Sequence, residues 1–303
     1  MTDATLPVAE LAKTESPWKR IAAEFAESKL ALFGLVILVL LLVAALLAPW
    51  LSPQDPYNLA GLDILDARQP PGEISGEGIP FLLGSDGQGR DMLSAMLYGL
   101  RISLVVGVVS VVASLAIGAV AGMAAAYFGG KVDALIMRIV DIQLSFPAIL
   151  VALILLAVLG NGMDKVIIAL IAVQWAYFAR SAHGAALVER NKEYVEAARC
   201  LGLSRTRMLL RHLLPNCMPP LIVIATINIA RAITLEATLS FLGLGVPVTE
   251  PSLGMLISNG FDYLLSGVYW ISLFPGLLLT IVIIAINLVG DQLRDVLNPR
   301  LKR

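Results

Sequence analysis

Side chains that could carry out catalysis are scarce in this sequence. The only two histidines are His183 and His212, and no nucleophile, general base and orienting acid surround them at the spacing of a known motif. The two cysteines, Cys200 and Cys217, lack the spacing of metal ligands and are interpreted as reduced thiols. The sequence therefore predicts a protein that is not an enzyme and that holds no metal ion and no cofactor.

A glycine-rich segment at residues 84–89 has the glycine spacing of a phosphate-binding loop. Such a loop needs a Lys followed by a Ser or Thr, where this sequence has Arg90 and Asp91. A phosphate-binding loop also follows a β-strand. The proline-rich sequence before residues 84–89 predicts no strand. We therefore do not expect nucleotide binding here.

One apolar segment, residues 221–241, carries charged and polar residues that are candidates for function. Arg231 lies twelve residues after Pro219, about 18 Å at 1.5 Å per residue, and so near the bilayer centre, where an unpaired charge costs at least about 2.5 kcal/mol. Glu236 falls on roughly the opposite face, so the two are not intrahelical partners. The face that carries Arg231 is predicted to line a solute path, and Glu236 is predicted to pair with another helix or subunit. Fixed ion pairs of both residues at a subunit interface are an equally good interpretation. The polar residues predicted to share the face of Arg231 are Asn228, Thr234 and Thr238.

The elements that would position these residues are membrane-spanning helices. The 303-residue chain is 58% hydrophobic with a mean hydropathy of +0.82, whereas soluble domains are about 45–50% apolar. The predicted fold class is an all-α, polytopic membrane protein with six transmembrane helices, two of them kinked at Pro147 and Pro275. The six apolar runs cover residues 30–48, 102–126, 139–159, 166–182, 221–241 and 270–289.

Polarity divides the chain into the segments of this topology. The first apolar run is too long for the apolar core of a signal peptide and lacks a small-residue cleavage site after it, so we expect it to stay as a helix. Regular structure in the proline-rich loop is expected only from about Phe81. The segments are an N-terminal segment 1–29, a first transmembrane helix 30–50, an external loop 51–101, a core 102–290 with five transmembrane helices that includes a loop at 190–215, and a tail 291–303.

The distribution of Lys and Arg sets the predicted orientation. When the N-terminus is placed inside, only Arg68, Arg90, Arg101 and Lys165 of the 22 Lys and Arg residues fall outside, and Arg231 falls within a span. Cytoplasmic loops carry the excess of basic residues in membrane proteins. Both termini and the loop at residues 190–215 are therefore predicted to be cytoplasmic.

The loop between the fourth and fifth spans predicts a helix, a turn and a second helix. Gly202 suits a left-handed stop after the first helix, Ser204 can cap the second, and Pro215 is expected to end it. Small residues on one face of the first helix would allow a partner to approach closely. The alternative is an amphipathic connector that lies on lipid headgroups. The face is predicted to hold Tyr194, Ala197, Ala198 and Leu201, flanked by Glu193 and Glu196.

The second span carries small residues at every fourth position. Gly118 and Gly122 form a GxxxG pair, in register with Ser114. Such a seam lets two helices approach closely in a membrane. We expect it to serve packing within the chain rather than a homodimer contact.

The spacing of the cytoplasmic loop resembles the "EAA" loop of the membrane subunits of ABC importers. Glu196-Ala197-Ala198 is followed by Gly202 and then by a segment that ends at Pro215. Residues 82–104 are similar to a segment of the dipeptide, oligopeptide and nickel branch of these permeases, with Ser85 and Ala95 in place of the usual Thr and Arg. Residues 138–147 and 287–302 extend this similarity.

The resemblance implies a C-type permease subunit in the bacterial inner membrane. Its implied partners are a second homologous permease subunit, two cytoplasmic ATPase subunits, an extracytoplasmic substrate-binding protein and the lipid bilayer, with no nucleic acid. The ATPase-coupling residues it implies are Glu193, Tyr194, Glu196, Ala197, Ala198, Leu201, Gly202, Ser204 and Arg205.

The implied function is to form, with the second permease subunit, a path for peptides or peptide-like solutes that is coupled to ATP hydrolysis. A nickel importer is an alternative within the same branch. An ion-coupled secondary transporter is another, although it would be expected to show inverted repeats and broken helices. A membrane-embedded enzyme would need an intramembrane catalytic set, which the sequence does not show.

Overall fold

The computed structural model of the chain describes residues 17–58, 62–76, 78–247 and 249–297, and most of these residues are helical. The start of the predicted N-terminal segment and the end of the predicted tail lie outside the described residues. The helices of the described part are α1 (Pro17–Ala26), α2 (Lys29–Leu46), α3 (Ala48–Leu51), α4 (Met92–Phe128), α5 (Gly130–Ser145), α6 (Ala148–Leu159), α7 (Met163–Glu189), α8 (Glu193–Cys200), α9 (Arg205–Phe241), α10 (Leu253–Phe261) and α11 (Trp270–Leu297).

The all-α membrane fold predicted from the sequence is confirmed. Five helices, α2, α4, α7, α9 and α11, are long and apolar enough to cross a membrane, and the pair α5 and α6 brings the number to six if it counts as one span. The start of α2 shows how the sequence sets a boundary. Ser28 accepts a hydrogen bond from the backbone N–H of Ala31 at 3.3 Å, which satisfies one of the free donors of the first turn.

The third span is broken rather than kinked. The axes of α5 and α6 differ by 92°, so residues 139–159, predicted as one helix with a kink at Pro147, belong to two helices that meet at a break. Proline disfavours the helical conformation in the residue before it, and Phe146 is extended at φ −96° and ψ 143°. Pro147 then precedes the first residue of α6. The change from kink to break therefore follows from the residue before the proline.

The fifth span continues through the proline that was expected to stop it. The helix α9 runs from Arg205 to Phe241 without a break, so the prediction that Pro215 ends a short helix was wrong. Residues Met208–Leu213 form a π-helical turn that ends two residues before this proline. A proline lacks the N–H that a helix interior needs but is tolerated in a first turn. Pro215 lies in the first turn of the α-helical stretch that follows the π turn.

The seam of small residues on α4 packs against α7. A Cβ added at Gly118 would lie 2.5 Å from the Cβ of Phe178, and one added at Gly122 would lie 2.8 Å from the backbone nitrogen of His183. Ser114 Oγ lies 3.5 Å from the carbonyl oxygen of Ile171. The small residues thus face a helix of the same chain, at a separation that leaves no space for a side chain.

The segment before α4 is held by a buried ion pair. Arg90 Nε donates to Asp86 Oδ2 at 2.7 Å, and both side chains are inaccessible to solvent. Trp270 Nε1, at the start of α11, donates to the carbonyl oxygen of Ser85 at 3.1 Å.

Helix α4 begins at Met92, ten residues before the predicted start of the second span, because Asp91 caps it by accepting from the backbone N–H of Ser94. Burial raises the pKa of the Asp91 carboxyl group.

The helix α10 was not predicted from the sequence. It lies in the connection between α9 and α11 and contacts both of these helices and α4. A Cβ added at Gly254 would lie 2.6 Å from the Cα of Ala237, and one added at Gly99 would lie 3.1 Å from the backbone nitrogen of Leu253. These glycines let α10 approach α9 and α4 at backbone distance. The connection is therefore a packed part of the fold.

Candidate functional site

The helix α8, which carries the predicted coupling residues, lies on the surface of the chain with one side anchored. Val195 and Ala198 are buried, at 0% and 5% exposure, in a cluster with Met208 and Leu213 of α9. Among the side chains whose exposure is described, those that face outward recur at the spacing of one helical face: Glu193, Glu196, Ala197, Cys200 and Leu201.

This arrangement corrects the predicted contact face. Tyr194 and Ala198 were expected to lie on the outer face with Ala197 and Leu201, but Ala198 packs into the chain's own core and Tyr194 is half-buried. Glu193 and Glu196, expected on the flanks, belong to the outer face. Leu201, at 79% exposure, is the large apolar side chain at the end of that face.

The turn after α8 has the predicted geometry. Gly202 has φ +70°, in the left-handed region, and no atom lies within 4 Å of the position that its Cβ would occupy. The requirement for glycine here thus comes from the backbone conformation and not from crowding. Ser204 caps α9 by accepting a hydrogen bond from the backbone N–H of Arg207 at 3.4 Å, and the side chain of Arg205 is exposed on the first turn.

Polar contacts join the start of α8 to the end of α7. Tyr194 Oη donates to Glu189 Oε2 at 2.9 Å, and Lys192 Nζ donates to Glu189 Oε1 at 2.6 Å. Burial, together with the hydrogen bond to Glu189, raises the pKa of Tyr194 to about 12. The role of Glu189 was missed at the sequence level, because no local pattern marks an acid that accepts from residues three and five positions further along.

Three contacts tie the same region to the turn between α4 and α5. Arg190 donates a hydrogen bond to the carbonyl oxygen of Ala126, and the guanidinium carbon of Arg205 lies 6.0 Å from the centroid of the Phe128 ring. His183 Nε2 lies 2.8 Å from Oδ1 of Asp133, in the first turn of α5. These contacts join the end of α4 and the start of α5 to α7 and α9.

The predicted polar face of α9 is present in part. Arg231 and Thr234 are exposed and Thr238 is half-buried, but Asn228 is only 3% exposed and donates to the carbonyl oxygen of Ile224 at 2.8 Å. The prediction that Asn228 shares the open face was therefore wrong. The guanidinium carbon of Arg231 lies 5.9 Å from the centroid of the Tyr177 ring of α7, within the range of a cation–π contact.

Glu236 faces the interior and contacts a neighbouring helix. Its side chain is fully buried and accepts hydrogen bonds from Ser103 of α4 at 3.0 Å and from Ser240 at 2.8 Å. Within the described ranges, no ion pair joins Glu236 or Arg231 to another residue. Hydroxyl groups rather than a cation therefore satisfy the buried carboxyl group.

Comparison with known proteins places these features in a family. Residues 115–303 match the family described as "Binding-protein-dependent transport system inner membrane component", and residues 16–71 match the "N-terminal TM domain of oligopeptide transport permease C". A putative peptide transport system permease protein of Brucella suis is 44% identical over 89% of this chain and 87% of its own length. A di/tripeptide transport system permease protein of Pseudomonas aeruginosa is 40% identical over 95% and 93%. An oligopeptide transport system permease protein of Bacillus subtilis is 36% identical over 96% and 92%.

A solved structure shares the fold. The chain superposes with a TM-score of 0.56 and 22% identity on a chain of the MetNI methionine ABC transporter in an inward-facing conformation, covering 68% of this chain and 98% of that one. The sequence matches and this fold agree with the resemblance drawn from the cytoplasmic loop. The chain belongs to the binding-protein-dependent transport system inner membrane components, as a multi-pass permease of the peptide-transport branch of ABC importers.

Proposed function

We propose that this chain forms half of a peptide translocation path and that α8 docks on an ATPase subunit in the cytoplasm. A second, homologous permease subunit supplies the other half, and an extracytoplasmic binding protein delivers the peptide. The observation that carries the proposal is the geometry of α8. Its inner side is fixed in the core by Val195 and Ala198, while its outer side presents Ala197 and Leu201 beside two acidic residues.

The proposed orientation places both termini and α8 in the cytoplasm. Basic residues are concentrated around α8 and at the start of α9, as expected on the cytoplasmic side of a membrane protein. The folded segment that Asp86 and Arg90 hold together then lies outside. ATP and ATPase subunits are on the side where α8 is exposed.

Coupling follows from the contacts of α8 and its flanking turns. ATP binding and hydrolysis would change the separation of the two ATPase subunits, and α8 would move with the subunit on which it sits. The bond from Arg190 to Ala126 and the contact of Arg205 with Phe128 link this region to the turn between α4 and α5. Because α5 meets α6 at 92°, a small displacement at this turn can change the angle at which the broken span faces the path.

Peptides are the proposed substrates, because the relatives over most of the chain are named as peptide, dipeptide or oligopeptide transport permeases. Backbone amides and termini are common to all peptides, so the path can be general. We propose that the binding protein selects among peptides before they reach this chain.

The test of docking is the variant Gly202→Val. A β-branched residue at φ +70° is strained by about 1–2 kcal/mol, which should displace α8 from its turn. We expect the variant to insert into the membrane and to co-purify with the second permease, but to lose most of its co-purifying ATPase.

Gly160→Val is the matched control. Gly160 has φ +83° and also has no atom within 4 Å of its Cβ position, but it lies at the opposite end of the bundle from α8. The Gly160→Val variant should retain the ATPase. Equal ATPase recovery from Gly202→Val and wild type would refute docking through α8.

A further inference from the structure

Arg231 places a positive charge on an open helix face in the membrane. It lies ten residues before the end of α9, about 15 Å at 1.5 Å per residue, and therefore near the bilayer centre. Its side chain is exposed, and no acidic side chain within the described ranges lies within ion-pair distance of it. Glu236 is turned the other way and bound by hydroxyl groups. The charge of Arg231 is thus available to a group outside this chain.

In the described part of the chain, the guanidinium of Arg231 donates no hydrogen bond to a protein acceptor. The guanidinium carbon of Arg231 lies 5.9 Å from the centroid of the Tyr177 ring, and a cation–π contact of this kind takes up no oxygen acceptor. Thr234 and Thr238 line the same face, and each donates its hydroxyl proton to a backbone carbonyl of α9. The neighbouring cation on α7, Arg180, is already paired with Asp141 of α5. Within the described ranges, Arg231 thus carries a charge that no acidic side chain neutralises.

We propose that Arg231, oriented by the ring of Tyr177, is the subsite of the translocation path that receives a peptide carboxylate. The inference rests on the proposed function and names the chemistry of one point on the path. A guanidinium presents paired donors that match the two oxygens of a carboxylate. The α-carboxyl group of a peptide has a pKa of about 3.3–3.7, so it is ionised at neutral pH. One cation on the path thus serves peptides of any side-chain composition.

Uptake by the assembled transporter in proteoliposomes tests the role of the charge. Arg231→Gln should assemble with the second permease and the ATPases, and its ATP hydrolysis should still respond to the loaded binding protein. Peptide uptake per ATP should fall by about tenfold or more, the loss of one charge-assisted hydrogen bond. Arg231→Lys should give an intermediate rate, because it keeps the charge without the paired donors.

Arg20→Gln controls for the removal of an arginine, since Arg20 is an exposed residue of α1 paired with Glu24. It should transport like wild type. If Arg231→Gln fails to co-purify with the second permease, Arg231 meets an acid of that subunit and the inference is overturned. Normal assembly with normal uptake also overturns it. If the wild-type complex takes up no peptide on addition of ATP, the proposed function fails and the inference falls with it.

A labelling experiment tests the surface itself. In a Cys200→Ser background, Thr234→Cys places a thiol on the exposed face next to Arg231, while Cys217 is buried. An anionic methanethiosulfonate should modify this thiol faster than a cationic one of similar size, and Arg231→Gln should remove the difference. A thiol that neither reagent reaches, or a preference that does not depend on Arg231, would contradict a charged, water-accessible path at this point.

Discussion

The seam between α4 and α7 gives a prediction whose magnitude follows from the geometry. Replacing Gly122 by Ala adds a Cβ at 2.8 Å from the backbone nitrogen of His183, where only backbone can give way. Overpacking of this kind costs about 1–3 kcal/mol. Replacing a helical glycine by alanine also gains about 0.5–1 kcal/mol from the lower backbone entropy of the unfolded chain. We expect a net loss of about 0.5–2 kcal/mol in the free energy of unfolding.

Gly184→Ala is the matched control, because Gly184 lies in α7, is exposed, and has no atom within 4 Å of its Cβ position. It should be neutral or slightly stabilising, since only the propensity contribution applies. The assay is the midpoint of thermal unfolding of the purified complex in detergent. Unfolding is monitored through the fraction of the complex that remains monodisperse. If Gly122→Ala is as stable as Gly184→Ala, the helices are not in backbone contact at this seam.

Two further predictions concern the outer segment and the topology. Asp86→Asn removes the carboxylate from a buried ion pair with Arg90, and because such a change costs about 3–5 kcal/mol, the segment before α4 should become sensitive to a protease added outside; unchanged cleavage would contradict a stabilising role. In a Cys200→Ser background, Glu73→Cys should react with an impermeant thiol reagent in intact cells, whereas Lys192→Cys should react only after permeabilisation; the reverse pattern would overturn the orientation.

Local patterns in the sequence identify the spans and the turn after α8. Apolar runs of sufficient length predict helices in a bilayer, because backbone groups there must be satisfied within the segment. The glycine at position 202 is also predictable, since its φ of +70° is strained for residues that carry a Cβ atom. The break at Pro147 was underestimated, because a sequence does not show whether neighbouring helices keep a proline-containing span continuous.

The orientation of α8 could not be obtained from its own sequence. Periodicity groups the residues of a helix into faces, but the choice of the buried face depends on what packs against it. Here Met208 and Leu213 of α9 cover Val195 and Ala198, so Ala197 rather than Ala198 is left outside. The position of α10 likewise depends on contacts with helices distant in sequence, such as that of Gly254 with Ala237.

The energy source of transport tests the central claim most directly. The permease would be reconstituted in proteoliposomes with its partner permease, both ATPases and the binding protein, and uptake of a labelled peptide would be measured with ATP and with an ion gradient separately. The account predicts uptake that requires ATP and the binding protein and that persists when all ion gradients are collapsed. Uptake driven by an ion gradient without ATP hydrolysis would contradict it.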